Sequence, residues 1–161
     1  MLERRARARA RAETASKQRL RLWIRLLRAA RTVEGELRER LRLEFGETLP
    51  RFDALAALER NRSGMTMTEL SRSLMVSNGN ITGIVERLVA AGLVVRLAHA
   101  DDRRAIFVRL TPKGVEQFLI MAKAHEAWVA QIFAGLSGAE TERLMALLGA
   151  LPARLDAERV P

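Results

Sequence analysis

The sequence predicts a mainly α-helical protein with one small β-hairpin, and two observations support this fold class. Apolar residues recur at offsets of three and four through most of the chain, which is the period of helices that pack on a core. In the middle, two short helical patterns meet at a turn over residues 75–77, and two strand-like runs, 93–97 and 105–110, follow with a charged tip between them. This order is that of a winged helix-turn-helix with long helices at both ends.

The first helix is predicted over residues 16–44, because its apolar residues form a single stripe. The stripe consists of Leu26, Ala30, Val33, Leu37 and Leu41, and Gly46 follows as a helix-ending residue. Before it lies a basic arm, residues 1–15, in which residues 4–12 are low-complexity and rich in arginine and alanine. Repulsion between these arginines predicts fraying or disorder of residues 4–12 in isolation. Two interpretations of this arm stay open: a solvated tail, or an arm that contacts DNA phosphate.

The next two helices are predicted from their end signals. Pro50 suits the first turn of a short second helix. Thr66 or Thr68 can cap the third, and Glu69 is placed to complete a capping box with Thr66.

The helix after the turn begins at Ser77 or Asn78 and ends at Gly92. Its apolar residues, Ile81, Ile84, Val85, Leu88 and Val89, recur at helical spacing. The two strand-like runs come next, and Thr111 with Pro112 then starts another helix.

Two helices are predicted for the C-terminal part, over residues 112–134 and from Ser137 onwards, where Glu140 matches a second capping box. Pro152 is expected to kink or end the last helix. The residues expected to face inward on the first of these helices are Val115, Phe118, Leu119, Ala122 and Trp128. The last helix carries Leu144, Leu148, Leu151 and Leu155, a narrow seam typical of paired helices across a subunit contact.

Composition excludes several classes of function. The chain of 161 residues has no cysteine, which rules out disulfides, thiolate metal ligands and thiol-based oxidation sensing, and its two histidines are too few for a convincing metal site. No nucleophile–base pair or phosphate-cradling glycine loop is recognisable, so we expect neither an enzyme nor a bound cofactor. With no long apolar run and no signal-peptide pattern, a soluble cytoplasmic protein without membrane association is expected.

The positive charge is unevenly distributed along the chain. Its net charge is +9, of which residues 1–44 carry +8 and residues 62–111 carry +3, offset by acidic residues elsewhere. A basic chain favours nucleic acid or an anionic ligand, and the sign of the charge does not choose between them.

The candidate DNA-reading residues lie at the start of the helix after the turn, because that end of a recognition helix faces base edges. Asparagine can pair with adenine, hydroxyl groups can bond bases or phosphates, and Gly79 lets the backbone approach closely. A capping role for Ser77 or Asn78 is the alternative, but it explains neither Asn80 nor Thr82. The candidate DNA-binding residues are Thr66, Thr68, Ser77, Asn78, Gly79, Asn80, Thr82, Arg87, Asp102, Arg103 and Arg104.

The last three belong to the hairpin tip. An arginine at such a tip is attracted into a narrow minor groove, and a nearby carboxylate can hold it extended.

The residues Asp102-Arg-Arg104 followed by Val108-Arg-Leu-Thr-Pro-Lys-Gly114 resemble the signature of the MarR (multiple antibiotic resistance regulator) family, and the likeness extends from about Leu20 to Leu155. The resemblance implies an obligate homodimer that binds a pseudo-palindromic operator, with Asp102 and Arg104 matching the aspartate and the minor-groove arginine of the family. The expected organisation is an arm (1–15), an N-terminal dimerisation helix (16–49), a winged helix-turn-helix domain (50–111) and C-terminal dimerisation helices (112–161).

Four segments, at residues 22–28, 48–53, 74–80 and 125–128, look like the subgroup that controls aromatic-acid degradation, such as hydroxycinnamate catabolism. Several of those repressors are released by an aryl-CoA thioester. An aryl group needs an aromatic-lined pocket and the CoA phosphates need guanidinium groups. The candidate effector residues are Trp23, Phe52, His125 and Trp128, with Arg28, Arg31, Arg38, Arg40 and Arg42. That these aromatics are core and these arginines a solvated face remains the alternative.

The expected function is therefore a ligand-responsive transcriptional regulator, in the role of a repressor, released by a small aromatic effector in free or CoA-thioester form. A constitutive architectural or nonspecific DNA-binding protein is the alternative, and steep salt dependence with little sequence preference would distinguish it.

Overall fold

Six helices and a three-stranded sheet form the described part of the computed structural model, residues 2–98 and 106–157. The helices are α1 (Leu2–Phe45), α2 (Leu49–Arg60), α3 (Met67–Ser73), α4 (Asn78–Ala90), α5 (Pro112–Ile132) and α6 (Gly138–Ala157), and the strands are β1 (Met65–Thr66), β2 (Val94–Ala98) and β3 (Ile106–Leu110). The chain divides into two units, Met1–His125 and Glu126–Pro161. The predicted fold class, a mainly helical protein with a small hairpin wing, is confirmed.

Helix α1 is longer than the sequence pattern predicted. Its backbone is helical from Leu2, through residues 4–12, for which fraying in isolation was predicted. Alanine and arginine are both strong helix formers, and this local preference outweighs the expected repulsion between the arginines. The helix ends as predicted, with Gly46 at a φ of +62° and its N–H donating to the Arg42 carbonyl at 3.1 Å.

The core of the first unit is built around α2. Leu55 and Leu58 of α2, Leu41 of α1 and Leu70 of α3 are completely buried. The predicted stripe on α1 is buried only towards its C-terminal end, where Leu37 and Leu41 lie, whereas Ala30 is exposed. Helix α2 therefore supplies the surface on which the helix-turn-helix is assembled.

The sheet has the order β1-β3-β2 with antiparallel pairing throughout. In the hairpin, Val94 pairs with Leu110 and Ala98 pairs with Ile106. Strand β1 was not predicted; its Met65 pairs with Val108. A strand of two residues has too few positions to show an alternating pattern, so only its partner strand reveals it.

In α5 and α6 the outcome of the predictions differs from residue to residue. Leu119 was expected to face inward but is 53% exposed, because it lies on the opposite side of α5 from the buried Met121. Ser137 and Glu140 form the predicted capping box, with the Ser137 N–H donating to a Glu140 carboxylate oxygen at 2.9 Å. Pro152 does not end α6, which continues to Ala157, because one missing N–H breaks a single bond in a ladder of many.

Three leucines of the predicted seam are exposed on α6 within the second unit: Leu144, Leu148 and Leu151. The side chain of Leu155 lies outside the described residues. Within residues 2–98 and 106–157, no helix has the length and apolar character to cross a membrane. The same part of the chain holds no group of acidic, histidine or cysteine side chains that could bind a metal ion.

Candidate nucleic-acid interface

The start of α3 is fixed by a complete capping box. The Thr66 hydroxyl accepts from the Glu69 N–H at 3.2 Å, and a Glu69 carboxylate oxygen accepts from the Thr66 N–H at 2.7 Å. The Thr66 Oγ1 also donates to this carboxylate oxygen at 2.9 Å. The bonds that the Thr66 N–H and hydroxyl donate to the carboxylate lower the pKa of Glu69, because they favour its charged form. Thr66 is thus the cap, and Thr68 lies exposed one position inside the helix. The sequence had left both residues open as the cap.

The turn between α3 and α4 runs from Leu74 to Ser77. Met75 has a φ of +53° and is 93% exposed. The Val76 N–H donates to the Ser71 carbonyl at 3.1 Å, which closes the turn on the end of α3. Two consecutive helices therefore change direction within a few residues, as a helix-turn-helix requires.

Ser77 is the N-cap of α4. Its backbone is extended, and its hydroxyl oxygen accepts from the Asn80 N–H at 3.3 Å. This bond satisfies one of the free N–H groups of the first turn. Ser77 remains exposed, so its capping role leaves it accessible to a ligand. The side chain of Asn78 lies outside the described residues.

Helix α4 has two chemically different faces. Ile81, Ile84, Val85 and Leu88 are buried, which anchors one side of the helix in the core. The exposed residues Gly79, Asn80, Thr82 and Arg87 all belong to the predicted DNA-binding set. A Cβ added to Gly79 would meet nothing within 4 Å, so this position is open for close approach. The exposed side offers amide, hydroxyl and guanidinium groups, the chemistry that bonds base edges and phosphates.

The C-terminal end of α4 is closed by backbone bonds. The Gly92 N–H donates to the Val89 carbonyl at 2.9 Å, and the Leu93 N–H donates to the Leu88 carbonyl at 3.0 Å. Gly92 has a φ of +70°, which is why glycine suits this position. A turn of three residues, Ala91 to Leu93, then leads into β2, so the wing follows α4 closely.

Asp102, Arg103 and Arg104 of the predicted wing tip lie outside the described residues. The hairpin is described up to the pair Ala98 and Ile106.

Two of the four predicted aromatic effector residues, Phe52 and His125, lie together in the first unit. Phe52 is buried and stacks on His125, with ring centroids 4.7 Å apart, and it also lies 5.7 Å from Phe118. Burial lowers the pKa of His125, which favours the neutral imidazole. Trp23 is 56% exposed on α1, and Trp128 is buried in the second unit, which is described by itself. Phe52 is therefore packed against His125 and Phe118, and little of its ring is accessible to a ligand.

The predicted effector arginines fall into two classes. Arg38, Arg40 and Arg42 form ion pairs along α1, with Glu34, Glu36 and Glu39 respectively. Arg28 and Arg31 have no ion pair within the described part of the chain. These two lie with Ile24, Leu27 and Thr32 along one face of α1, beside a shallow groove that is open to solvent. An apolar floor beside two free guanidinium groups suits an anion with an apolar body.

A second cavity, of about 200 Å³, was not predicted at all. Its lining comes from α1, α2, the turn and α4, and consists of Glu34, Leu49, Pro50, Asp53, Leu74, Val76 and Ile84. Burial, and then the nearby Glu34 charge, raise the pKa of Asp53. Carboxylates at Glu34 and Asp53 disfavour an anionic group in this cavity. Sequence reasoning missed it because no one segment contributes enough of the wall to form a pattern.

Comparison with known proteins gives consistent matches. Residues 45–105 match a family model described as the MarR family. The chain is 25% identical over 133 residues to the HTH-type transcriptional regulator MhqR of Bacillus subtilis, covering 83% of this chain and 90% of MhqR. It is 30% identical over 95 residues to the uncharacterized HTH-type transcriptional regulator YkoM of Bacillus subtilis, covering 59% of this chain and 62% of YkoM, so less than two thirds of that relative is spanned.

Solved structures match over most of their length. A MarR family transcriptional regulator from Silicibacter pomeroyi superposes with a TM-score of 0.75 at 32% identity, covering 87% of this chain and 96% of that one. Bordetella bronchiseptica BpsR, whose DNA binding is regulated by 6-hydroxynicotinic acid, gives 0.69 at 25% identity, covering 79% and 89%. A mutant of Escherichia coli MarR complexed with operator DNA gives 0.74 at 24% identity, covering 83% and 95%, a likeness of fold alone.

Proposed function

The chain belongs to the MarR family of DNA-binding transcriptional regulators, and from this premise we propose that it is a ligand-responsive repressor that acts as a homodimer. One observation carries the proposal: the two-faced character of α4. Its apolar side is buried, and its first turns leave Gly79, Asn80 and Thr82 exposed. A helix anchored in this way can enter a major groove and place an amide and a hydroxyl against base edges.

The wing completes the proposed contact with DNA. Strands β2 and β3 hold the hairpin beside α4, and Arg103 and Arg104 at its tip are proposed to enter the minor groove, with Asp102 orienting Arg104. Arg87, two turns beyond Asn80, is proposed to bind phosphate. In this proposal, the first turns of α4 read the bases, and the arginine side chains position the protein on the DNA.

A homodimer is proposed because both ends of the chain expose apolar side chains. Leu20, Leu22, Trp23 and Ile24 are exposed on α1, and α6 exposes leucines on its own unit. Contiguous exposed apolar surface marks an interaction site in soluble proteins. A second copy of the chain would cover it, and the two-fold symmetry of such a dimer requires a pseudo-palindromic operator.

The proposed effector is a small aromatic compound, in the form of an aryl-CoA thioester. Two features support this chemistry. The groove beside Arg28 and Arg31 offers free guanidinium groups for phosphates, and the cavity at Glu34 and Asp53 favours an aryl group that carries no carboxylate. The DNA binding of the related BpsR is regulated by 6-hydroxynicotinic acid, an aromatic compound, which supports the proposal of an aromatic effector here.

Mobility shift with the protein's own upstream DNA and with random DNA at physiological salt tests the DNA-binding proposal. Specific retention of the upstream fragment is expected, with a footprint of two half-sites. Equal retention of both DNAs would instead favour a nonspecific architectural protein. Sedimentation analysis of the free protein should show a dimer, and a monomer would refute the symmetric operator model.

Matched arginine variants test the effector. Aryl-CoA thioesters should release the operator, and Arg28→Ala and Arg31→Ala should raise the thioester concentration needed. Arg38→Ala is the control, because Arg38 is already paired with Glu34. Release by free aromatic acids but by no thioester would refute the CoA form.

A further inference from the structure

The segment Thr111–Gly114 binds the chain that follows α4. Three consecutive carbonyl groups, those of Ala91, Gly92 and Leu93, each accept a hydrogen bond from this segment. The Lys113 Nζ donates to Ala91 at 3.0 Å, the Thr111 Oγ1 donates to Gly92 at 2.7 Å, and the Thr111 N–H donates to Leu93 at 3.0 Å. We call these contacts, with Gly114, the α4 clamp.

The clamp joins three elements at one point. The Thr111 hydroxyl also accepts from the Gly114 N–H at 2.9 Å, so a single oxygen links the end of α4 to the first turn of α5. Immediately beside it, Val94 pairs with Leu110 at the base of the wing. The end of α4, the base of the hairpin and the start of α5 are therefore held in one arrangement.

Close packing makes this arrangement rigid. Gly114 is buried, and a Cβ at this position would lie 2.0 Å from the Leu93 carbonyl oxygen. The backbone of α5 thus approaches the chain after α4 more closely than any other residue type permits. The ammonium group of Lys113 also lies at the negative end of the α4 dipole, where a cation is favourable.

We propose that Thr111 and Lys113 are positioning residues, which fix the angle at which α4 enters DNA without touching DNA themselves. Helix α4 has 13 residues and is roughly 20 Å long, so a tilt of about 5° at its C-terminal end moves its N-terminal end by roughly 1.7 Å. Hydrogen bonds to base edges do not survive such a displacement, whereas phosphate contacts adapt to it. Loss of the clamp should therefore reduce sequence-specific binding selectively.

This inference rests on the proposed function of α4 as the recognition helix. The test compares Thr111→Val, Thr111→Ser and Lys113→Met with the unaltered dimer, measuring operator and random-DNA affinity at several salt concentrations. Circular dichroism at the same temperature establishes the folded fraction. Thr111→Val should raise the operator Kd about fivefold to tenfold and change the random-DNA Kd less than twofold. Thr111→Ser keeps the hydroxyl and should restore operator binding.

Lys113→Met, at an exposed side chain, provides a test that does not depend on folding. It should raise the operator Kd about fivefold and leave the salt dependence unchanged. Lys113→Met could instead lower both the operator and the random-DNA affinity and reduce the slope of log Kd against log salt concentration by about one. That result would show that Lys113 contacts phosphate, and it would overturn the proposal. Lower thermal stability of either variant with unchanged operator affinity would overturn it as well. If the unaltered protein itself shows no operator preference, the proposed function fails instead.

Discussion

The two ends of α4 are built in opposite ways. At the N-terminal end, a long hydrogen bond from the Asn80 N–H to the Ser77 hydroxyl satisfies one of the free N–H groups of the first turn, and Ser77, Gly79 and Asn80 are exposed. At the C-terminal end, backbone bonds close the helix and the α4 clamp holds the three carbonyls that follow. The difference separates two tasks: an open end can exchange water for DNA, and a fixed end determines where the open end points.

The largest expected effect comes from crowding the fixed end. Gly114→Ala places a methyl group against the Leu93 carbonyl, and the backbone must move to accept it. Unfolding by urea should show a loss of about 3 kcal/mol or more, at the upper end of single substitutions.

Gly79→Ala is the matched control at the open end, where the new methyl group meets nothing. Its stability should stay within about 1 kcal/mol of the unaltered protein, on the stabilising side, because alanine is the better helix former. If Gly114→Ala and Gly79→Ala destabilise the protein equally, the two ends of α4 do not differ in the way proposed.

A smaller effect, confined to binding, is expected for Asn80→Ala. Removing an exposed amide that pairs with a base should weaken operator binding by about 1–3 kcal/mol, seen in a titration followed by fluorescence anisotropy. Random-DNA affinity and thermal stability should stay unchanged. A variant that binds operator normally would show that the open end does not read sequence at this residue.

Ser77→Ala sharpens the comparison further, because it removes the only side-chain cap described at the open end. A loss of about 1 kcal/mol in the free energy of unfolding is expected. Ser77→Asp should keep the cap and its stability, yet weaken DNA binding because its charge repels phosphate. If Ser77→Ala is as stable as the original protein, the 3.3 Å hydrogen bond from the Asn80 N–H to Ser77 contributes nothing to the free energy of unfolding.

The smallest effect is expected for Glu69→Gln. This change removes the charge from the capping box of α3, whose counterpart in α4 is the neutral cap Ser77. The lowered pKa of Glu69 means that its stabilisation is present above pH 4.5 and is lost as pH falls through the folded pKa. Thermal melts from pH 7 to pH 3 should therefore show a small advantage of the original protein at pH 7 that disappears at pH 3. A constant difference across this range would assign the effect to packing.

The sequence predicted the features that depend on neighbouring residues. The turn before Ser77, the glycines at positions 46 and 92, and both capping boxes follow from local chemistry, and the structure confirms them. The sequence was less decisive where local rules compete. The backbone of α1 is helical through the arginine-rich residues 4–12, and α6 continues beyond Pro152, because helix propensity and the remaining backbone hydrogen bonds outweigh one unfavourable feature.

What the sequence determined by itself is the kind of protein: the order of helices and strands, the side of α4 that is buried, and the family to which the chain belongs. Only the tertiary structure decided which distant residues meet. It paired β1 with β3, stacked Phe52 on His125, gathered the wall of the acidic cavity from four elements, and brought Thr111 and Lys113 to the end of α4. The physical reason is range: helix periods and caps act within a few residues, whereas these contacts join segments many residues apart and leave no repeating pattern along the chain.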